Sequence, residues 1–288
     1  DLINLLLKGA RDAGVEMRLL QRIEQVDLTG EKPRYVTLQG GTGEADLLIG
    51  ADGLHSRTRF ALNGDVAPFF TRQVAWRAVI PNDGSHSAVA EVHMGPGRHL
   101  VSYPLRGGTI RNIVAVEERN RWVDESWSLR DDAMELRLAF QGFSPRVKGW
   151  LEQVEDVWLW GLFRHPVARN WYRNLPSGAV AILGDAAHPT LPFLAQGASM
   201  GLEDAWVLAA SLAGHDSIGA GLAAYQAARA PRCTRIVEAA NQNARAYHLS
   251  GPLRDIAHMG LKFGGWLAPK MVIGRFDWLY DYDVTKAG

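Results

Sequence analysis

The chain contains a single cysteine, Cys233, among its 288 residues. An intramolecular disulfide is therefore excluded, and so is a metal site built from several cysteines. Lysine and arginine together number 31, as do aspartate and glutamate, so a net charge near zero offers no electrostatic support for nucleic-acid binding. No apolar run approaches the roughly 18 residues that a membrane span needs. No basic segment precedes the first apolar residues, which argues against a secretory signal and makes a cytoplasmic location the default expectation.

A glycine-rich phosphate-binding turn is also missing. Dinucleotide-binding βαβ units hold the pyrophosphate at a Gly-x-Gly-x-x-Gly turn that opens a helix. The nearest glycine cluster here, Gly40-Gly41-Thr42-Gly43, lies in a hairpin-like stretch and opens no helix. The rest of the composition, 47% hydrophobic and 22% charged, is ordinary for a globular protein of one large or two modest domains.

One stretch, residues 179–204, combines several features that suit a ligand site. The apolar residues 179–183 predict a buried strand, and Gly184 then allows a tight turn. Asp185 follows at the carboxyl end of that strand, where open α/β sheets bind ligands. After a loop with Pro189 and Pro192, Gln196-Gly197-Ala198 opens a helix, whose free N–H groups and partial positive charge favour an anion or an electron-rich ring edge.

A second motif lies upstream, Asp46-Leu-Leu-Ile-Gly-Ala-Asp-Gly-Leu-His-Ser-Arg-Thr-Arg59. Together, the two motifs resemble the Asp-Gly motif and the second FAD-binding motif of the single-component flavoprotein aromatic hydroxylases, salicylate and 3-hydroxybenzoate hydroxylases among them. They agree in order, spacing and chemistry over about forty positions. The family often has glycine where Ala195 stands and asparagine where Ser199 stands.

The resemblance implies an α/β fold. A partial FAD-binding domain, Rossmann-like and of the glutathione-reductase type, would hold an inserted antiparallel sheet domain and end in C-terminal helices. We predict FAD-binding parts at residues 1–64 and 166–230, the substrate-binding sheet domain at 65–165, and a helical segment at 231–288. In the family, roughly 100 residues with the dinucleotide unit precede the first helix of this chain. We therefore expect the codons before Asp1 to encode a strand, the glycine-rich turn and a helix.

Hydrophobic periodicity predicts the individual elements. An amphipathic helix is expected over residues 2–13, strands over 17–20, 22–28 and 34–39, and a short buried strand over 46–50. An antiparallel meander is expected from strands at 73–80, 88–94, 98–106 and 109–117. Helices at 130–140 and 145–154 would cover it, and a strand at 157–163 would return to it. Further helices are expected at 197–213, at 219–247 with a kink at Pro231, and at 252–275.

The cofactor contacts that the resemblance implies fall on seven residues. Asp52 and Gly53 would let the backbone approach the pyrophosphate of FAD. The alternative is a strand-to-helix turn in which Asp52 only caps the helix. Asp185, after Gly184, would accept a hydrogen bond from the ribityl chain, and the backbone N–H groups of Gly197 and Ala198 would face the pyrimidine end of the flavin. Pro192 lies in the loop of the same motif. We expect His188 to hold that loop and to have no chemical role of its own.

His99 and Tyr103 are the candidates for chemistry on the substrate. They lie four residues apart in a predicted strand and so face the same side of the sheet. The stretch His99-Leu-Val-Ser-Tyr103-Pro104 resembles the pocket-lining segment of salicylate- and 3-hydroxybenzoate-hydroxylase-like members. A histidine ordinarily titrates near neutral pH, so His99 could take a phenolic proton. The alternative is that both side chains pack on the outer face of the sheet.

The resemblance implies a monooxygenase that hydroxylates a small aromatic acid with NAD(P)H and O2, by way of a flavin hydroperoxide. Two alternatives stay open. One is an inactive remnant of such an enzyme that holds no FAD, which the missing glycine-rich turn favours. The other is a flavin oxidoreductase that does not hydroxylate. The spacing of the remaining histidines predicts no metal site, and the oligomeric state is open, with a homodimer as one option.

Overall fold

The computed structural model describes residues 1–82, 88–119, 129–267, 274 and 276–286. Its helices are α1 Leu2–Asp12, α2 Arg57–Asn63, α3 Ala133–Ala139, α4 Pro145–Glu152, α5 Gly197–Ala213, α6 Ile218–Tyr247, α7 Gly251–Leu267 and α8 Asp277–Tyr280. Its strands are β1 Ile23–Asp27, β2 Arg34–Thr37, β3 Thr42–Glu44, β4 Leu47–Gly50, β5 Phe69–Pro81, β6 Glu91–Gly95, β7 Arg98–Leu105, β8 Ile110–Glu118, β9 Arg130–Asp131, β10 Val157–Arg164, β11 Tyr172–Leu175 and β12 Gly178–Ile182. No helix among these residues is long and apolar enough to cross a membrane.

The predicted α/β architecture is confirmed. Strand β12 pairs with β4 in parallel and with β11 in an antiparallel hairpin, and this small sheet carries both sequence motifs at its carboxyl ends. The chain between β4 and β12 forms a six-stranded sheet in the order β6-β7-β8-β5-β10-β9, whose pairs are all antiparallel. The sheet is therefore inserted between the two strands that carry the motifs.

The simple meander that the sequence predicts is wrong in one respect. Strands β6, β7 and β8 do follow one another, but β5 pairs with β8 and β10, so the first strand of the unit lies inside the sheet. The physical reason is burial, because β5 carries Val74, Trp76, Ala78 and Ile80 into the core beneath α3 and α4. A strand this apolar is most stable with a neighbour on each side.

Two other predictions about elements differ from the structure. Residues 17–20 form no strand; they are exposed, and no described strand lies beside them to complete a ladder. The helix expected from residue 130 begins only at Ala133. Arg130 belongs to β9 and pairs with Trp158 of β10, and the Asp132 side chain caps the helix by accepting from the Met134 N–H.

Burial and helix bounds test the remaining predictions about elements. Strand β4 is less buried than expected, with Ile49 41% exposed, because it is the edge strand of its described sheet. Helix α1 has the predicted apolar face, but none of its residues is buried. Helix α5 has the predicted bounds, and Pro231 lies within α6. The predicted end of the last helix, at residues 268–273 and 275, lies outside the described residues.

Candidate active site

The first motif forms a tight turn between β4 and α2. The Asp52 carboxylate accepts hydrogen bonds from Ser56 Oγ at 2.5 Å and from the Thr58 N–H at 3.1 Å, and Ser56 caps α2 by accepting from the Arg59 N–H at 2.8 Å. Asp52 thus stabilises the turn, which is the simpler of its two predicted roles. Gly53 has a φ of 74° with open space around its Cα, so the backbone is exposed here in a conformation that favours glycine.

Arg59 joins the first motif to the second. Its guanidinium donates to the carbonyls of Ala186 at 3.1 Å and Pro166 at 2.6 Å, and the side chain is buried. Burial lowers the pKa of Arg59. The sequence showed Arg59 only as part of a motif; that it bridges two turns 127 residues apart follows from the fold alone.

The second motif presents Asp185 at the carboxyl end of β12. Gly184 has a φ of 60°, and a Cβ there would lie 3.9 Å from the Cα of Gly201 in α5, so the turn packs closely on the helix. Asp185 itself is exposed. A carboxylate in this position can accept hydrogen bonds from hydroxyl groups of a ligand.

A buried network of ion pairs and hydrogen bonds centred on Asp204 stabilises the second motif. Asp204, on α5, accepts from the Gly184 N–H at 2.9 Å, from His188 Nε2 at 2.5 Å and from Arg229 Nε at 2.8 Å. Burial alone would raise the pKa of Asp204, but the hydrogen bonds from His188 and Arg229 outweigh it and hold that pKa low. His188 therefore fixes the loop, as the sequence predicted, whereas the part played by Asp204 was missed because residues 16 to 25 positions away complete the network.

The same network brings a third metal-ligating residue close. Cys233 lies with His188 and Asp204 at distances that a metal ion could bridge. Both carboxylate oxygens of Asp204 are already bound, however, and Arg229 is a competing cation beside them. Burial raises the pKa of the Cys233 thiol to about 12, so it stays protonated. We therefore interpret the cluster as a structural ion-pair network.

The N-terminus of α5 is open toward a ligand. Gln196 makes no side-chain capping bond there, Gly197 is partly exposed, and Ala198 is exposed. The first N–H groups of the helix thus have no intrahelical partner and carry a partial positive charge. Ala195, just before them, has a φ of 53°, a region in which glycine is less strained.

Both motifs border the same cleft. A cavity of about 530 Å³ lies between Asp52, Asp185 and Pro192. The rest of its wall comes from neighbouring residues of the two motif loops, from residues 160–163 of β10 and from His165. It adjoins a second cavity of about 800 Å³ that shares Asp52 with it. More basic than acidic side chains line the second cavity: Arg22, His55, Arg57, Arg59 and His165 against Asp52 and Asp65.

His99 and Tyr103 do not line this cleft. Both lie on β7, in register with Val116 and Asn112 of β8, and His99 is only 1% exposed whereas Tyr103 is partly exposed. The His99 ring packs against Phe193, with ring centroids 5.5 Å apart. Phe193 directly follows Leu191 and Pro192, which line the cleft. The Phe193 side chain therefore separates His99 from the cleft.

Burial changes the acid–base behaviour expected of His99. Loss of hydration, with a smaller contribution from the neighbouring His248, lowers the pKa of His99 to about 3. The expectation that His99 titrates near neutral pH is therefore wrong, and the ring is neutral at pH 7.

This shift predicts that acid destabilises the fold. In the unfolded chain, His99 has an ordinary pKa near 6.5, so between about pH 6.5 and pH 3 the unfolded state binds more protons than the folded state. The free energy of unfolding should fall by a few kcal/mol as the pH falls through that range, since each pKa unit corresponds to about 1.4 kcal/mol. Urea unfolding at pH 7 and pH 5 measures the change. In the His99→Gln variant, the free energy of unfolding should depend less steeply on pH, whereas replacing the exposed His215 should leave the pH dependence unchanged. Equal pH dependence in the unsubstituted protein and both variants would contradict the prediction.

The residues at and beside the two cavities fit the cofactor that the resemblance implies. Asp52, Asp185 and Pro192 line the cleft, whereas Gly53, Gly184, Gly197 and Ala198 are not among the residues that line either cavity. The exposed Asp185 carboxylate can accept from sugar hydroxyls, the start of α5 offers N–H groups to an electron-rich ring edge, and Gly53 leaves its backbone partly accessible. The basic cavity next to them suits a pyrophosphate.

Comparison with known proteins agrees with this geometry. A family model described as an FAD binding domain matches residues 1–240. The chain is 33% identical over 275 residues to the 3-hydroxybenzoate 6-hydroxylase of Klebsiella oxytoca, covering 93% of this chain and 66% of that protein. It is 31% identical to 3-hydroxybenzoate 6-hydroxylase 2 of Aquipseudomonas alcaligenes, covering 98% of this chain and 87% of that protein. The chain spans about two thirds of the length of the first curated relatives it matches.

A solved structure supports the fold. A salicylate hydroxylase in complex with its substrate superposes with a TM-score of 0.78 at 24% identity, covering 98% of this chain and 72% of that one. The inserted antiparallel sheet and the paired motif turns therefore occur within a known architecture. The family match over residues 1–240 and the similarity to the hydroxylases show that this chain belongs to the FAD-binding domain family, which includes aromatic-acid hydroxylases.

Proposed function

We propose that this protein is an FAD-dependent monooxygenase that hydroxylates a small aromatic acid, consuming NAD(P)H and O2 and releasing water. The observation that carries the proposal is the cleft at which both motif turns meet the inserted sheet. Its size suits a flavin ring with a small substrate beside it. The similarity to 3-hydroxybenzoate hydroxylases makes hydroxybenzoates the first substrates to test.

The chain's own residues divide the work of holding FAD. Asp185 would accept from the ribityl chain, and the N–H groups of Gly197 and Ala198 would face the electron-rich end of the ring. Gly53 and the basic residues around it would lie along the pyrophosphate. When bound, FAD supplies the redox chemistry by which NAD(P)H and O2 oxygenate an aromatic ring.

On the substrate side, His99 would accept the phenolic proton and Tyr103 would position the ring. A phenolate is more electron-rich than a phenol and so reacts faster with an electrophilic oxygen. Because His99 is almost fully buried, a substrate reaches it only when the rings that cover it, Phe193 and Tyr247, shift. The same covering side chains would exclude water from the reacting atoms. The proposed sheet domain, residues 65–165, supplies His99 and Tyr103.

The proposal is tested with the purified protein reconstituted with FAD. We expect a flavin absorbance spectrum, NAD(P)H oxidation stimulated by a hydroxybenzoate, and a dihydroxylated product found by chromatography. No bound flavin at saturating FAD would favour the inactive remnant. Bound flavin with NAD(P)H oxidation but no oxygenated product from any aromatic acid would favour the non-hydroxylating oxidoreductase.

Replacement of Asp185 tests the cofactor site directly. Asp185→Ala should weaken FAD binding about ten- to a hundredfold, because a hydrogen bond to a charged group contributes about 1.5–3 kcal/mol. Flavin fluorescence titration measures the affinity. Asp216→Ala removes an exposed carboxylate beyond α5 and serves as the control. FAD affinity that is the same in both variants would remove Asp185 from the site.

A further inference from the structure

A chain of hydrogen bonds leads from His99 to the protein surface. His99 Nδ1 lies 2.7 Å from His248 Nε2, and His248 Nδ1 lies 2.9 Å from Glu118 Oε1. His99 lies on β7, His248 directly follows the last residue of α6, and Glu118 is the last residue of β8. Both imidazoles are buried, whereas the Glu118 side chain is 54% exposed. The chain therefore connects a buried nitrogen to solvent through two contacts.

The chemistry of these groups sets the direction of each hydrogen bond. The Glu118 carboxylate can only accept, so His248 Nδ1 carries the proton that it donates. A neutral His248 then has its lone pair on Nε2 and accepts from His99 Nδ1–H. This leaves the lone pair of His99 on Nε2, the nitrogen that engages none of these partners.

The assignment also fixes the orientation of the Gln73 amide. The amide lies 3.2 Å from His248 Nδ1 through Nε2, while its buried Oε1 has no partner among the described residues. Because the Nδ1 proton is directed at Glu118, the assignment requires the Gln73 amide to be turned by half a rotation, so that Oε1 and not the Nε2 amino group faces His248 Nδ1.

Backbone hydrogen bonds hold His248 and Glu118 in place. The Gly97 N–H donates to the His248 carbonyl at 3.3 Å, and the Glu118 N–H donates to the Gly97 carbonyl at 2.9 Å. The turn between β6 and β7, which contains Gly97, thereby fixes the backbone of His248 and of Glu118. Tyr247 packs on the His99 ring, with centroids 5.0 Å apart.

We propose that His248 and Glu118 form a proton relay that carries the substrate's phenolic proton from His99 to solvent, an inference that rests on the proposed function. The phenolic O–H bond breaks with its electron pair left on oxygen, and a new N–H bond forms at His99 Nε2. His99 passes its Nδ1 proton to His248 Nε2, His248 passes its own Nδ1 proton to Glu118, and Glu118 releases a proton to water. His248 and Glu118 act through His99 and do not touch the substrate.

The relay explains how a weakly basic histidine can serve as a base. With a pKa of about 3, His99 does not hold a proton at neutral pH. Burial also lowers the pKa of His248, while the hydrogen bond with Glu118 raises it and the charge of Arg98 lowers it. The ionisable groups that face the pair are Glu118 on β8, Arg98 on β7 and Tyr247 on α6. Transfer onward to an exposed carboxylate removes the need for either imidazole to remain charged.

The test uses Glu118→Gln, whose exposed position tolerates the change and whose amide cannot take up the proton. With FAD bound, the protein is mixed with 3-hydroxybenzoate, and the appearance of phenolate absorbance is followed by stopped flow from pH 6 to 9. We expect ionisation at pH 7 to slow by tenfold or more, to recover as the pH approaches the ligand's own pKa, and to be partly rescued by added imidazole. FAD affinity and the behaviour of Glu155→Gln, an exposed control, should match the unsubstituted protein.

A second readout keeps the relay separable from the proposed function. Nitrogen-15 NMR of the histidine rings should show a proton on Nδ1 of His248, and its resonance should shift in Glu118→Gln. Unchanged ionisation rates and pH profile in Glu118→Gln would overturn the relay while the hydroxylase activity stands. Ionisation that depends on Glu118 in a protein that hydroxylates no aromatic acid would support the relay and overturn the proposed function. Absence of ligand ionisation in the unsubstituted protein would overturn the relay.

Discussion

Replacing His99 by alanine is expected to lower the rate of aromatic hydroxylation about 10²–10⁴-fold, the usual contribution of general-base catalysis. FAD should still bind, because no residue of either motif is changed, and reduction by NAD(P)H should persist at least in part. The oxidation of NAD(P)H should become uncoupled, with hydrogen peroxide released in place of product. The defect should shrink as the pH approaches the phenolic pKa of the substrate, where no base is needed.

Product and peroxide must be measured separately across pH to test this. Tyr103→Phe serves as the matched comparison on the same strand and should do less harm, since it removes only a hydroxyl that positions the ring. His99→Gln retains a hydrogen-bonding side chain in the buried position and separates loss of the base from loss of packing. Full coupling of NAD(P)H oxidation to product in both His99 variants at pH 7 would return His99 to a packing role.

Replacing Asp204 by alanine should cost about 3–5 kcal/mol of unfolding free energy, the typical effect of removing one partner from a buried ion pair. Asp204 is fully buried, and its loss leaves the charge of Arg229 without that partner in the core. The Gly184 N–H and His188 would lose their acceptor as well, so the turn that presents Asp185 should loosen and FAD affinity should fall.

Urea unfolding measures the stability, and flavin fluorescence titration measures the affinity. Asp216→Ala is the control on the exposed side of the same region and should change the unfolding free energy by no more than about 0.5 kcal/mol. Asp204→Asn keeps the shape of the side chain and tests whether the charge is needed. An unfolding midpoint for Asp204→Ala equal to that of Asp216→Ala would show that the network contributes nothing to stability.

The elements with the strongest local signals could be predicted from the sequence. Helix α5 has the expected bounds because Gly197 opens it and Gly214 follows its end. Strand β12 was expected because an apolar run ends at a glycine turn. The strand expected at residues 17–20 was wrong for the opposite reason, since an apolar stretch forms a strand only where another strand lies beside it, and no local pattern carries that information.

The sequence by itself determined the two FAD motifs, the α/β class and the family, because these depend on residues close together along the chain. Only the tertiary structure decided which distant side chains meet. It joined Arg59 to Ala186 and placed Asp204 beneath Gly184. It also connected His99 to His248, 149 positions away, and His248 to Glu118, 130 positions away. It also moved the pKa of His99 away from its ordinary value, because burial is a property of the packed core and not of the residue.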